Sequence, residues 1–513
     1  MPRTRLFAAP LMLLVPFLSL AAQGEPKDSA AKKPPAAPPR AEQWVTKHSI
    51  VIGGKTVPYT ATAGTLLLRD DHGDTVASIG YTAYTRQDTK DPTTRPITFA
   101  YNGGPGSASL WLHMGALGPR RVVAADAEAT PPAPYRVVDN AYSIIDRTDL
   151  VMIDPVGTGI SHAVGKKKNK DFWGVDPDIE SVSGFIKEYV TENGRWNSPK
   201  YLLGESYGTT RSAGIVDYLQ TRDGMAFNGV TLVSVALDLE AIFSWPGNDR
   251  PYPLFVPTFA ATSWYHHVLP SAPKDVRQLM ADARAWALGP YAAALLQGDA
   301  LSGAARDSIA ERLHQFTGLS VDYIKKANLR VTEPEYTQEL LREHRETVGR
   351  LDSRFTGVTF DPLAQNAEYD PQAAAITAAY TAAFLDYYHR ELNVPTDRDY
   401  VVTASVFRDW DWKHRLPDGQ FQPMVNTGPD LAHALGYNPN LRVLVLNGLY
   451  DLATPPLATE YMMAHLGLAP SLQSHISMKY FEAGHMMYLN EGSLKQLKAD
   501  EAAFIDATDR IGG

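Results

Sequence analysis

The sequence predicts an α/β fold: a mostly parallel central sheet flanked by helices, with an inserted, largely helical cap. Three observations carry this expectation. Short apolar runs of strand length alternate with helix-length stretches, the pattern of a parallel sheet covered on both faces. Turn-punctuated β-formers precede that series. One interval between consecutive strands is roughly 200 residues long, whereas a crossover unit needs only about 30.

From Trp44 to Thr85, β-formers alternate with turns at Gly53-Gly54 and Asp70-Asp71-His72-Gly73, which predicts antiparallel hairpins. Ile97–Tyr101, Leu150–Ile153, Tyr201–Leu203, Val230–Ala236, Leu441–Leu446 and His475–Phe481 read as the buried strands. Ile179–Thr191 and Thr209–Gln220 read as helices between or after them. Within the long interval, Asp275–Leu296, Ala304–Phe316, Pro334–Glu343 and Ala373–Leu392 read as further helices. The expected organisation is a core in two parts, 42–238 and 412–513, interrupted by a cap at 239–411.

Arg3 and Arg5 precede an apolar run from Leu6 to Leu20, with small residues at Ala21 and Ala22. That order predicts a secretory signal peptide over 1–22; the run is short for a bilayer span, which takes about 20 residues. Residues 23–41 are rich in Ala, Pro and Lys and read as a flexible linker. Export to the periplasm or the medium is therefore expected, with no stable membrane anchor after cleavage. The formal net charge is −9. Residues 1–40 hold six Lys/Arg and two Asp/Glu, so their removal leaves 42 basic against 55 acidic residues, or −13. An acidic surface argues against nucleic acid and anionic membrane as partners. The chain has no cysteine, which excludes disulfides, a thiol nucleophile and thiolate metal sites.

Gly204-Glu205-Ser206-Tyr207-Gly208 directly follows an apolar strand and directly precedes a helical run. Gly-x-Ser-x-Gly in that setting is a nucleophile elbow, a turn so tight that its flanking positions tolerate almost no side chain. The serine hydroxyl stands clear of the sheet at the positive end of the next helix. Such folds place the acid and then the base after the nucleophile, at later strand ends. Asp451 follows the strand Leu441–Leu446, and His485 follows the last strand. Ser206, Asp451 and His485 are thus the expected nucleophile, acid and base. His465, inside a helical run, and His475, at a strand start, are less well placed for the base.

A serine hydrolase also needs N–H donors for the developing oxyanion. The amide of Tyr207 is one candidate. Gly104, in Asn102-Gly103-Gly104-Pro105-Gly106 after the strand Ile97–Tyr101, is the other; the alternative for this loop is a plain Gly-Pro turn.

With those stretches, Leu117-Gly118-Pro119, Asp154-Pro155-Val156-Gly157-Thr158-Gly159 and Gly484-His485-Met486 complete a set that resembles the serine carboxypeptidases over about 95–240 and 435–490. The resemblance implies an α/β-hydrolase fold with a helical cap, a peptide substrate, and no metal or organic cofactor. It also implies that Asn102 and Glu205 hydrogen-bond the free carboxylate of a peptide. Two carboxylates sharing a proton would avoid repulsion, so acidic conditions are expected to favour activity; a Glu205 that merely braces the elbow is the alternative. The sequence departs from the family at Ala116, where relatives carry a second glutamate, and at Ser107, where they carry a cysteine. The expected activity is serine-type carboxypeptidase. An esterase or acyltransferase on the same fold, or a non-catalytic binding protein, are the competing readings.

Overall fold

In the computed structural model, residues 39–271 and 273–509 are described. The signal peptide and nearly all of the linker expected from the sequence lie outside them. The central sheet contains β1 (Gln43–Ile52), β2 (Lys55–Arg69), β3 (Thr75–Arg86), β4 (Ile97–Tyr101), β5 (Asp149–Ile153), β6 (Lys200–Glu205), β7 (Gly229–Val233), β8 (Arg442–Gly448) and β9 (Ile476–Phe481). Their spatial order is β1-β2-β3-β5-β4-β6-β7-β8-β9, with the short strand His162–Ala163 added beside β3. The first three strands pair antiparallel, as does β3 with β5. From β5 onward every pairing is parallel.

Strand alternation splits the buried residues between two cores. Phe99, Val151, Leu202, Val443 and Val445 face one core, while Ala100, Met152, Leu203, Leu444 and Leu446 face the other. Both faces being apolar, the strands read as continuous hydrophobic runs, as parallel strands buried on both sides should. Helices α1 (Val175–Glu192) and α2 (Tyr207–Asp223) cover the first face.

Between Val233 and Arg442 the chain leaves the sheet. This stretch contains α3 (Pro251–Tyr265), α4 (Val276–Trp286), α5 (Gly303–Thr317), α6 (Glu333–Glu339), α7 (Pro371–Arg390) and α8 (Gly428–Tyr437). After β8 come α9 (Pro456–Ala464) and α10 (Glu491–Thr508). Helix α3 was not anticipated. It carries Pro251, Pro253 and Pro257, which argue against a helix, and it is apolar on every side, which hides its period. The structure accommodates it because thirteen of its fifteen residues are buried. A second difference is the end of β7, which stops at Val233 rather than Ala236 because Ser234 takes φ 54°. Among the described residues, no helix is long and apolar enough to cross a membrane.

Candidate active site

Ser206 sits between β6 and α2 with φ 59° and ψ −128°, a conformation that a non-glycine residue adopts only when its surroundings force it. Its flanks explain the glycines. A Cβ on Gly204 would overlap the Gly208 carbonyl, and one on Gly103 would overlap the amide of Tyr207. The loop after β4 therefore rests directly on the elbow. The Ser206 hydroxyl does not cap its own helix; it faces a cavity of ≈ 560 Å³ that Gly104 and Tyr207 also line. Among the described residues, neither the Gly104 nor the Tyr207 amide donates to another backbone group. Two free N–H groups and one hydroxyl thus border the same space.

The register of the last two strands, with Gly448 opposite Phe481, sets the Asp451 and His485 loops side by side. Oδ2 of Asp451 lies 2.8 Å from Nδ1 of His485. The same oxygen accepts from the Thr454 hydroxyl at 2.6 Å, and Oδ1 accepts from the amides of Ala453 and Thr454 at 2.8 and 2.9 Å. A carboxylate with that many donors is held in one orientation, and a proton on Nδ1 leaves Nε2 free to accept. Burial pulls the His485 imidazole down, but Asp451 and then Glu205 more than offset it, so its pKa is raised. No hydrogen bond joins Ser206 to His485; contacts of this kind tighten when substrate binds. His465 stacks on Tyr461, and His475 bonds to Arg442. Neither ring contacts Asp451.

The loop after β4 is pinned from three sides. Asp154 accepts from the amide and hydroxyl of Ser109 at 2.8 and 2.7 Å, which places the Asp-Pro-Val-Gly-Thr-Gly segment beneath that loop. Arg211, fully buried on α2, donates to the Asn102 carbonyl at 2.8 Å and forms a two-pronged pair with Asp178 of α1 at 2.7 and 3.2 Å. Asn102 itself accepts from the Leu112 amide at 3.0 Å and donates to Glu205 Oε1 at 2.8 Å.

Asn102 and Glu205 are 1% and 4% exposed, and neither lines the cavity. Burial pushes the Glu205 carboxyl up to about 7, against the pull of His485, Tyr488 and Asn102. Its Oε2 and the Tyr488 hydroxyl meet no partner in strict hydrogen-bond geometry, but the hydroxyl lies close enough to Glu205 to favour its charged form. Next to the fully buried Ala116, Gly115 faces the Tyr488 ring and the Tyr380 hydroxyl. Aromatic groups therefore occupy this neighbourhood.

Sequence reasoning missed a strip of the insertion that runs between the Asp451 and His485 loops. Leu452 donates to the Arg350 carbonyl at 3.0 Å, His485 to the Leu351 carbonyl at 2.7 Å, and Ser353 to the Tyr450 carbonyl at 2.9 Å. Asp352 Oδ2 accepts from the Gly484 amide at 2.9 Å. Ser234, just past β7, donates its hydroxyl to the His485 carbonyl at 2.7 Å. No sequence signal marks Arg350–Arg354, because it belongs to no regular element. Among the described residues, no group of His, Asp and Glu is arranged to hold a metal ion.

The family model for serine carboxypeptidase matches residues 77–232, which include the loop after β4 and the elbow. No curated protein matches the sequence. Among solved structures, a prohormone-processing carboxypeptidase from Saccharomyces cerevisiae aligns with a TM-score of 0.54 at 14% identity, over 88% of this chain and 91% of that one. A proline iminopeptidase from Mycobacterium smegmatis aligns at 0.33 and 14% identity, over 90% and 99%. A putative aryl esterase from Burkholderia cenocepacia aligns at 0.37 and 12%, over 86% and 98%. The yeast enzyme shares the fold, an α/β-hydrolase core.

Proposed function

We propose that the chain is a hydrolase of the serine carboxypeptidase type, whose family model matches residues 77–232, and that it removes residues from the C-terminus of peptides through an acyl-enzyme on Ser206. The observation that carries the reading is the strained Ser206 facing one cavity with the unspent amides of Gly104 and Tyr207. In the proposed cycle His485 takes the Ser206 proton as the hydroxyl attacks the scissile carbonyl, and Asp451 holds the imidazole and stabilises its charged form. The two amides receive the carbonyl oxygen as it becomes an oxyanion. His485 then passes its proton to the leaving amine. A water, deprotonated by the same imidazole, releases the acyl group.

Asn102 and Glu205 are proposed to meet the terminal carboxylate through Oε2 of a protonated Glu205, the oxygen that Asn102 does not hold. That role confines the acid preference. Glu205 is protonated only below about 7, while a raised His485 pKa trims activity on the acidic side. Export belongs to the same proposal and rests on the Arg3–Ala22 leader; N-terminal sequencing of the mature protein tests it.

The test of the main reading has two parts. A fluorophosphonate probe should label wild type and not Ser206→Ala. Mass spectrometry of a peptide pool should then show single residues leaving from the C-terminus. Labelling without peptide loss would sink the carboxypeptidase reading and favour an esterase, for which the burial of Asn102 and Glu205 and the Ala116 substitution already speak.

A further inference from the structure

The cavity in front of Ser206 is walled mainly by Leu239, Ile242, Phe243, Phe255, Phe407 and Trp412. Only two of its lining residues carry charge, Glu333 and Arg350. Glu333 stands in the first turn of α6 and is largely buried. Arg350 belongs to the strip that joins the acid and base loops. Its amide donates to Asp370 Oδ2 at 2.7 Å, and its carbonyl accepts from Leu452, the residue after Asp451. The backbone is therefore fixed beside the triad.

Its side chain is not. That side chain is 42% exposed, and its one ion pair among the described residues runs from Nε to Glu333 Oε2 at 3.4 Å. No hydrogen bond from either terminal nitrogen is present among the described residues. The other arginines near the core are used differently. Arg211 grips Asp178 with two nitrogens, Arg354 spans Asp352 and Asp126, and Arg195 bonds Asp149, Ser198 and Arg95. A guanidinium fork left open inside an apolar cavity is a receptor for a planar anion, and the low-dielectric walls strengthen its charge.

We propose that Arg350 binds a carboxylate of the substrate and sets specificity for it. This rests on the hydrolase reading above and names the chemistry of its substrate. Two sources supply such a group. One is the peptide's own C-terminus, which would relieve the Asn102–Glu205 pair of that role. The other is an Asp or Glu side chain beside the scissile bond, if that pair keeps it. Glu333 steadies the unoccupied guanidinium at a distance that an incoming carboxylate can outcompete, since 3.4 Å exceeds a good charge-assisted contact.

The experiment compares matched substrate pairs in wild type, Arg350→Gln and Arg350→Lys. The first pair is an N-blocked dipeptide with a free C-terminus and its amide. The second is a dipeptide amide ending in Glu and the same amide ending in Gln. The third is a pair of simple esters, p-nitrophenyl hemisuccinate and p-nitrophenyl butyrate. The readout is the kcat/KM ratio within each pair, which cancels any general effect of the variant on the triad. In Arg350→Gln the ratio should fall ten- to hundredfold in favour of the neutral member, as expected for one lost charged hydrogen bond, and Arg350→Lys should recover part of it. A fall in the first pair assigns the C-terminus, and a fall in the second assigns the side chain. Ratios unchanged within about twofold in all three pairs overturn the proposal. The ester pair reads Arg350 even in an enzyme that leaves peptides intact, so failure of the peptidase reading is seen separately, in wild type.

Discussion

The backbone amide of His485 donates to the carbonyl of Leu351 at 2.7 Å. The proposed base is thereby tied to a segment of the insertion, one residue from Asp352, whose carboxylate accepts from Gly484. Asp352 is 2% exposed and pairs with Arg354, so its removal would leave that buried cation with the more exposed Asp126 as its counter-charge and the Gly484 N–H unpaired. Asp352→Ala should therefore cost about 3–5 kcal/mol of stability, the usual loss on breaking a buried pair from one side. Asp352→Asn keeps an acceptor for Gly484 and should fold. Its kcat should drop roughly tenfold with KM little changed, because a shifted imidazole harms the chemical step more than binding. A normal kcat in a folded Asp352→Asn enzyme would reduce Asp352 to a structural residue.

Ser206→Ala and His485→Ala should each remove nearly all turnover, by about 10⁴-fold or more, as for groups that act as a unit. Asp451→Asn should cost somewhat less, since Thr454 and the amides of Ala453 and Thr454 still hold the side chain in place. The measurement is kcat/KM on an ester and a peptide, with the melting temperature recorded for each variant. A folded Ser206→Ala enzyme with most of its activity would overturn the assignment.

The pH profile should depend on the substrate. Glu205 titrates near 7, and above that it carries a charge that repels a substrate carboxylate. For free-acid peptides kcat/KM should be bell-shaped, falling on the alkaline side through about 7 and on the acidic side as His485 protonates. Glu205→Gln, whose amide still donates, should erase the alkaline limb. It should also move the acidic limb to lower pH, because Glu205 is among the groups that raise the His485 pKa. Simple esters should keep the acidic limb alone. Asn102→Ala should weaken free-acid peptides more than amidated ones; an equal loss on both would end the carboxylate role of this pair.

Three buried glutamates should each withdraw stability as pH rises from about 5 to 8, against the opposite contribution of buried histidines such as His113. Burial pushes Glu205, Glu333 and Glu501 each up to about 7 from an unfolded value of 4.5. Between those values the folded state holds more protons at these groups than the unfolded one, so their contribution to stability decreases with pH. Glu501 isolates the effect from catalysis. It is fully buried on α10, accepts from the Thr231 hydroxyl at 2.9 Å, and leaves its other oxygen without a partner. Glu501→Gln should raise stability at pH 8 by roughly 1–3 kcal/mol and change it little at pH 5. Denaturant melts at the two pH values check this, and a gain that is equal at both would exclude the titration of Glu501 as its cause.

The sheet was legible in the sequence because each parallel strand is a continuous apolar run bounded by turn residues, so β4 could be read to the residue and β5, β6 and β8 to within two. Helix α1 was legible for the complementary reason, its longer amphipathic repeat, and α2 as the run that directly follows the elbow. Helix α3 was not, since burial on all sides removes the contrast between faces on which such reading depends. At the candidate site, Ser206 announces itself through local glycine chemistry, and Asp451 and His485 through their positions after strands. Leu351, Asp352 and Ser234 announce nothing. Leu351 acts through a backbone carbonyl, which any residue would supply. Asp352 and Ser234 act across 132 and 251 positions of chain, and no local pattern encodes such a pairing.

The strip from Arg350 to Arg354 also dictates when the molecule becomes dangerous to its surroundings. A chain growing from its N-terminus completes the elbow early and can fold β4 to β7 around it. It has no base until residue 485 has emerged, and no correctly held base until the preceding insertion has docked. Closing such long loops is a late and entropically costly event. A truncated or half-assembled copy would thus carry a serine without hydrolytic power. Under the proposed function, activity and completeness of the fold would coincide.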